Sequence, residues 1–257
     1  MFKSIKENKS DKMRFITNEP AVVLDGTLVI GDLHIGIETD FYRNGFSFES
    51  SGDSLRQKIL KIARENNCKK LVLLGDVKND YHGLSWQEER ELPVFLGDLS
   101  RALEVHVAIG NHDGNLKDIA PKEVAVHGSS GFIMGGNFFA HGHSWPDESF
   151  LDAERVFLGH NHPAIEFRDK LGYRHVEPCW LRCGLVRKKV VEKYGKKGKV
   201  KEVIYVPVFN PLLGGLPVNR SESELGPLMK NGLVERKKCD VYLLDGTLLG
   251  KVKDIKS

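Results

Sequence analysis

Side chains able to ligate a metal occupy the same kind of place five times in this chain, just beyond a short apolar run. "LVIGDLHIG", residues 28–36, presents Asp32 and His34 two positions apart. "LVLLGD" ends at Asp76, and "VHVAIGNHD" ends at Asn111, His112 and Asp113. "NFFAHGH" ends at His141 and His143, and "RVFLGHNH" at His160 and His162. In an extended chain residues i and i+2 point to one face, so Asp32 and His34 can aim at one point. Ligands commonly bind beyond the carboxyl ends of strands. Five such ends meeting at one edge would gather two Asp, one Asn and four His. Imidazoles suit zinc, iron and manganese, whereas carboxylates suit harder ions. Seven ligands are too many for one tetrahedral ion and fit two ions sharing a carboxylate. Two dications bring a surplus of positive charge that Asp32 and Asp76 only half offset. That surplus would attract a phosphate and make hydroxide from a bound water near neutral pH.

The elements that must position these residues are legible in outline. "AVVLDGTLVIGD" reads as a hairpin turning at Asp25-Gly26. Residues 53–66 predict a helix with Leu55, Ile59, Ile62 and Ala63 on its apolar face and Asp53 as its cap. "KKLVLLGD" follows as a buried strand. A second helix starts near Ser85, where Ser85 and Glu88 fit a capping box, and Pro93 is expected to kink or split it. Val105, Val107 and Ile109 then alternate. Strand, helix, strand, helix, strand argues for parallel pairing through right-handed crossovers. The second half, with short strands, glycine-rich connections and another Asp-Gly hairpin in "DVYLLDGTLLGKV", favours antiparallel sheet. The fold class expected is α/β, a two-sheet β-sandwich flanked by helices. One domain is expected over residues 1–257, with residues 1–14 a weakly ordered leader.

A net charge of +3 is too small to imply a nucleic-acid partner. No apolar run reaches the length of a membrane span, and "MFKSIKENKSDKMRF" has no signal core, so a cytoplasmic protein without membrane contact is expected. Cys68, Cys179, Cys183 and Cys239 read as reduced, buried hydrophobes; a zinc site at Cys179 and Cys183 lacks a second pair. His82, His106, His127 and His175 read as structural. His143 either approaches the site or merely follows a tight turn. The basic run 187–203 reads as a hairpin with residues 195–198 at its tip. It is first a solvated edge and second a nucleic-acid contact, which makes Lys196, Lys197 and Lys199 weak substrate-binding candidates. Tyr194 is the run's one aromatic, so no base-stacking platform is evident. The stretch 41–50 is expected to be a long aromatic-bearing loop that either walls the site or anchors itself through Phe46 and Phe48.

The ordered series Asp-x-His, Gly-Asp, Gly-Asn-His-Asp, His-Gly and Gly-His-x-His, over residues 28–163, resembles the calcineurin-like metallophosphoesterases. Within them it looks like the small archaeal-type phosphoesterases related to the SbcD/Mre11 nucleases, and "FNPLLGGLPVN" at 209–219 is similar to that branch too. The resemblance implies that Asp32, His34 and His162 hold one divalent ion and that Asn111, His141 and His160 hold the other. Asp76 would bridge them, and His112 would be the catalytic residue over the phosphate and its leaving oxygen. It implies manganese first, with iron, nickel or zinc tolerated, and a metal-bridging hydroxide as nucleophile. Phosphoprotein phosphatases of this superfamily carry an Asp three residues after the bridging Asp, followed by Arg. Here "GDVKNDY" has Asn79 and Asp80, which argues against that activity and leaves either residue to orient His112. The stretch after His162 leaves no room for a separate nuclease capping domain, so processive duplex resection is not expected. The function expected is hydrolysis of a phosphodiester, in nucleic acid or a nucleotide. The alternatives are an unspecific phosphomonoesterase and a non-catalytic scaffold that keeps the metal site. Protein partners are left open, and a homo-oligomer is compatible with the chain.

Overall fold

Both faces of the central strands are apolar, and alternation along each strand sends successive residues into different cores. The computed structural model describes residues 13–46, 49–220 and 226–255. β1 (Met13–Phe15), β2 (Val22–Leu24) and β3 (Thr27–Ile30) pair antiparallel, with the β2–β3 turn at Asp25 and Gly26 in the left-handed region. Helices α1 (Glu38–Arg43) and α2 (Gly52–Glu65) lead to β4 (Lys70–Leu73). Then α3 (Trp86–Ala102) leads to β5 (Glu104–Ala108), and α4 (Leu116–Ile119) to β6 (Val124–His127). β3, β4, β5 and β6 pair parallel, completing a six-stranded sheet in the order β1-β2-β3-β4-β5-β6.

The second sheet is built from β7 (Phe132–Met134), β8 (Asn137–Ala140), β9 (Arg155–Leu158), β10 (Pro163–Arg168) and β11 (Arg174–Cys183). After α5 (Arg187–Tyr194) come β12 (Glu202–Tyr205) and β13 (Leu216–Pro217). After α6 (Gly226–Lys230) come β14 (Asp240–Leu243) and β15 (Leu248–Lys251). Its main path runs β13-β10-β11-β12-β9-β8-β7, with the β14–β15 hairpin joined to β11. Val29, Val72, Phe139, Phe157, Trp180 and Ile204 pack between the two sheets. Leu28, Ile30, Leu71 and Leu73 pack outward with Leu55, Ile59, Leu92 and Leu99 of α2 and α3. The architecture is therefore the expected α/β sandwich of two sheets with helices outside.

Several local expectations are corrected. Met13 and Arg14 belong to β1, paired with Leu24 and Val23, and not to a leader; residues 1–12 lie outside those described. Ser51, not Asp53, is the N-cap of α2; Asp53 lies in its first turn. The capping box at Ser85 and Glu88 forms, and α3 is not split at Pro93. Its cap and its buried Leu92, Phe95, Leu96 and Leu99 outweigh the one backbone bond that proline removes. The second sheet is mixed, with β8–β9 and β9–β12 parallel. The basic run folds as α5 closed by a left-handed Gly195, not as a hairpin. Cys68 and Cys179 are buried thiols as expected, whereas Cys183 and Cys239 form a disulfide. The end of β11 and the turn before β14 bring their Cα atoms to 4.4 Å, a proximity that spacing in sequence does not reveal. Among the described residues, no helix is long and apolar enough to cross a membrane.

The bond joins residues 56 apart, so reducing it should lower unfolding free energy by about 2–4 kcal/mol. Urea unfolding with and without dithiothreitol measures this; a midpoint that reductant leaves in place would remove the bond from the stability account.

Candidate metal centre

The parallel strands stop just short of the residues that carry the chemistry. β3 ends at Ile30 and β4 at Leu73, ahead of Asp32 and Asp76, while β8 ends at Ala140 and β9 at Leu158, ahead of His141 and His160. The backbone then turns sharply. Asp32 (φ 58°), His34 (φ 44°), Asp76 (φ 48°), His160 (φ 68°) and His162 (φ 40°) are all left-handed. For non-glycine residues this costs on the order of 1–3 kcal/mol each and persists only where surroundings hold it. Asp32 and His34 therefore share a side through a left-handed loop rather than an extended strand. The intervening Leu33 and the following Ile35 are fully buried anchors.

Backbone bonds tie the loops together. The N–H groups of Leu33 and His34 both donate to Asp76 O at 2.9 Å, and Ile35 N–H donates to Val77 O at 2.9 Å. Gly110 is required by a close approach, because a Cβ there would overlap Asp76 Oδ1. Asp113, almost fully buried, accepts from Gly110 N at 2.8 Å through Oδ2 and from Val77 N at 2.8 Å through Oδ1. It thus staples the Asp76 loop to the Asn111 loop. Burial, then the neighbouring Asp76, pushes the Asp113 carboxyl up to about 6. From the far end of the chain, buried Asn210 donates Nδ2–H to Leu33 O at 2.7 Å, and Leu216 N–H reaches His162 O at 2.7 Å. Asp113 and Asn210 received no role from sequence. Their only signals were their places in "GNHD" and "FNP".

The structure brings Asp32, His34, Asp76, Asn111, His112, His141, His160 and His162 into one cluster. Ligand atoms of Asp32, His34 and His162 lie within 4.8 Å of one another, and so do those of Asp76, His141 and His160. His34, Asp76 and His112 form a third such group between them. One oxygen of each carboxylate takes a backbone N–H: Asp76 Oδ1 from His112 at 2.9 Å, Asp32 Oδ1 from His160 at 3.1 Å. Asp76 Oδ2 faces His141 Nε2 at 3.2 Å and His34 Nε2 at 3.5 Å.

The donor set fits a cation. His141 donates Nδ1–H to Leu74 O at 2.7 Å, which fixes the tautomer and turns Nε2 to the cluster. There Nε2 meets Asn111 Oδ1 and His160 Nδ1, each at 3.1 Å, as well as Asp76 Oδ2. A proton on Nε2 can serve one of these acceptors; a metal ion can serve all. Both ring nitrogens of His34 and Oδ2 of Asp32 are buried without hydrogen bonds. Burial opposes charge on His141, yet Asp76 and Asp32 hold its pKa up to about 9. Burial drives His34 and His160 down to about 4, leaving neutral imidazoles whose lone pairs are free to ligate.

His112 sits at the rim. Its Nδ1–H donates to the main-chain oxygen of Asn79 at 2.5 Å, and its Nε2 is 4.0 Å from Asp76 Oδ2. Neither the Asn79 nor the Asp80 side chain orients it. The Asn79 amide instead donates to Asp40 of α1 at 2.6 Å. Tyr81, largely exposed, places its ring 5.6 Å from that of His112. His143 lies against the cluster, 5.2 Å from the His141 ring, with its buried Nδ1 unbonded. His106 and His127 bond to each other at 3.0 Å and stack toward Phe132, as structural residues do. Residues 41–43 close α1 rather than opening a loop; Phe46 is largely exposed, and Phe48 lies outside the described residues. Lys196, Lys197 and Lys199 are not brought to the cluster. Their loop enters β12 beside Arg155 at the start of β9, and the cluster lies past the other end of that strand.

Two sheets whose edges converge on an Asp/His cluster define the metallophosphoesterase architecture. The family model for calcineurin-like phosphoesterases matches residues 27–196, more than half of the chain, and the chain belongs to that family. Among solved structures, nuclease MPE of Pseudomonas putida aligns over 97% of this chain and 100% of its own, at 18% identity and a TM-score of 0.58. The phosphoesterase Yfce of E. coli aligns over 88% of this chain and 97% of its own, at 13% identity and a TM-score of 0.39. No curated protein sequence matches the chain.

Asp113→Ala would leave the buried N–H groups of Gly110 and Val77 unpaired, at about 1–3 kcal/mol each. A lowered Tm together with weaker metal uptake by calorimetry is expected; an unchanged Tm would show that Asp113 does not join the loops.

Proposed function

We propose that this chain is a two-metal phosphodiesterase acting on a nucleic acid or a nucleotide. Asp32, His34 and His162 would hold one ion, Asn111, His141 and His160 the other, and Asp76 both. The observation that carries this is the position of Asp76 Oδ2, between His34 Nε2 of the first group and His141 Nε2 of the second. Manganese suits this mixed set of imidazole, carboxylate and amide oxygen; iron, nickel and zinc are tolerated. When bound, such ions supply positive charge for the phosphate and acidify a water into the nucleophile. Everything else falls to the protein. The buried loops hold the ligands and exclude water from one side. His112, with Nδ1 engaged by Asn79, turns Nε2 toward the cluster and is the group to meet the leaving oxygen and give it a proton. The phosphodiester reading draws support from the fold shared with a nuclease along nearly the whole chain.

The test is hydrolysis by metal-stripped protein reloaded with manganese. Substrates are an aryl phosphodiester, an aryl phosphomonoester, and short single- and double-stranded DNA and RNA. Turnover of diesters is expected. Turnover of the monoester alone would make it a phosphomonoesterase, and two bound ions without turnover would make it a scaffold. Asp76→Asn should lose both ions and nearly all activity, as metal analysis of the dialysed protein would show. His112→Ala should keep both ions and slow turnover about 10²–10⁴-fold, and full activity in that variant would remove His112 from the mechanism.

A further inference from the structure

We infer that Glu88 is a positioning residue for His112, acting through the Asn79–Asp80 peptide; this rests on the proposed role of His112 as proton donor. Glu88 is fully buried, and a capping box accounts for only part of its bonding. Its Oε2 accepts from Ser85 N at 2.7 Å, as the box requires. Its Oε1 does something else: it accepts from Asn79 N at 2.8 Å and from Asp80 N at 2.7 Å. The Asp80 N–H and the Asn79 C=O are the two ends of one planar trans peptide, so they point in opposite directions. Glu88 holds the N–H end. His112 Nδ1–H donates to the C=O end.

Gripping one end sets the direction of the other, so the carboxylate aims the carbonyl that aims the imidazole. It also polarises the peptide, which strengthens the carbonyl as an acceptor. The loop has little freedom to compensate. Lys78, also fully buried, sends its ammonium to the carbonyl oxygens of Asp80 and Gly83. Room for Glu88 is provided at Gly36, where a Cβ would come within 2.8 Å of Glu88 Cγ.

The test uses the metal-loaded full chain and two phosphodiesters, one with a p-nitrophenyl leaving group and one with an alkyl leaving group. A proton donor matters most when the leaving group is poor. Glu88→Ala should therefore slow the alkyl ester on the order of tenfold or more while changing the aryl ester far less, with KM and metal content preserved. Glu88→Gln, which retains an acceptor, should fall between Glu88→Ala and the parent. Ser85→Ala keeps the Ser85 N–H and so should leave the ratio of the two rates unchanged, although it weakens the same helix cap. In the His112→Ala background, Glu88→Ala should add no further selectivity. Equal losses on both esters, or selective loss that persists without His112, would overturn the inference. Should Glu88→Ala not fold, an unchanged rate ratio in Glu88→Gln overturns it alone. If His112→Ala itself shows no leaving-group selectivity, the reading of His112 falls, and this inference with it.

Discussion

Two carboxylates held almost out of water, Asp32 and Asp76, govern the rest of this structure. A buried carboxylate is costly unless positive charge and hydrogen bonds meet it. Here each has one oxygen on a backbone N–H and the cluster of imidazoles around the remainder. Burial alone would raise both pKa values; His162 beside Asp32 and His141 beside Asp76 hold them down instead. The same balance appears on the partners, since His141 and His162 are pushed up while His34 and His160 stay neutral. The cluster is thus built around a demand for positive charge. A proton on His141 meets it in part, and a pair of cations, as proposed, would meet it fully.

Meeting that demand dictates the architecture. Asp32, Asp76 and Asn111 follow parallel strands of one sheet, and His141 and His160 follow parallel strands of the other. Parallel pairing on both sides is what places all five loops at one edge, and the core between the sheets fixes how far apart the two halves stand. The loops then bend through left-handed residues that are unfavourable in isolation. Buried Leu33 and Ile35, the Asp113 staple and the Asn210 bond hold them there. Strain at the site is sustained by packing and hydrogen bonds around it.

The side of the site that would handle the proton is organised by backbone rather than by a second carboxylate in contact with the histidine. The Asn79 amide turns to Asp40 and the Asp80 carboxylate to the His82 N–H. The main-chain carbonyl of Asn79 faces His112 instead, and the exposed Tyr81 ring lies 5.6 Å from the imidazole.

The sequence alone determined the strand-helix-strand-helix-strand frame of the first half, though not α1 or α4, together with both Asp-Gly turns, the Ser85–Glu88 cap and the candidate ligands that the cluster draws on. These are local: an apolar run, a turn pair or a motif is read within a dozen residues. It misjudged α5, taking a lysine-rich run with good helix propensity for a hairpin, the split of α3 at Pro93, and the assignment of Met13 and Arg14 outside the sheet. Tertiary structure alone decided three further things. It paired Cys183 with Cys239, which are 56 residues apart. It set Asp113 and Asn210 to bracing the loops from 36 and 177 residues away. It chose the carbonyl of Asn79, not either side chain, to face His112. Such contacts join segments distant in sequence, and their geometry exists only once the two sheets have closed on each other.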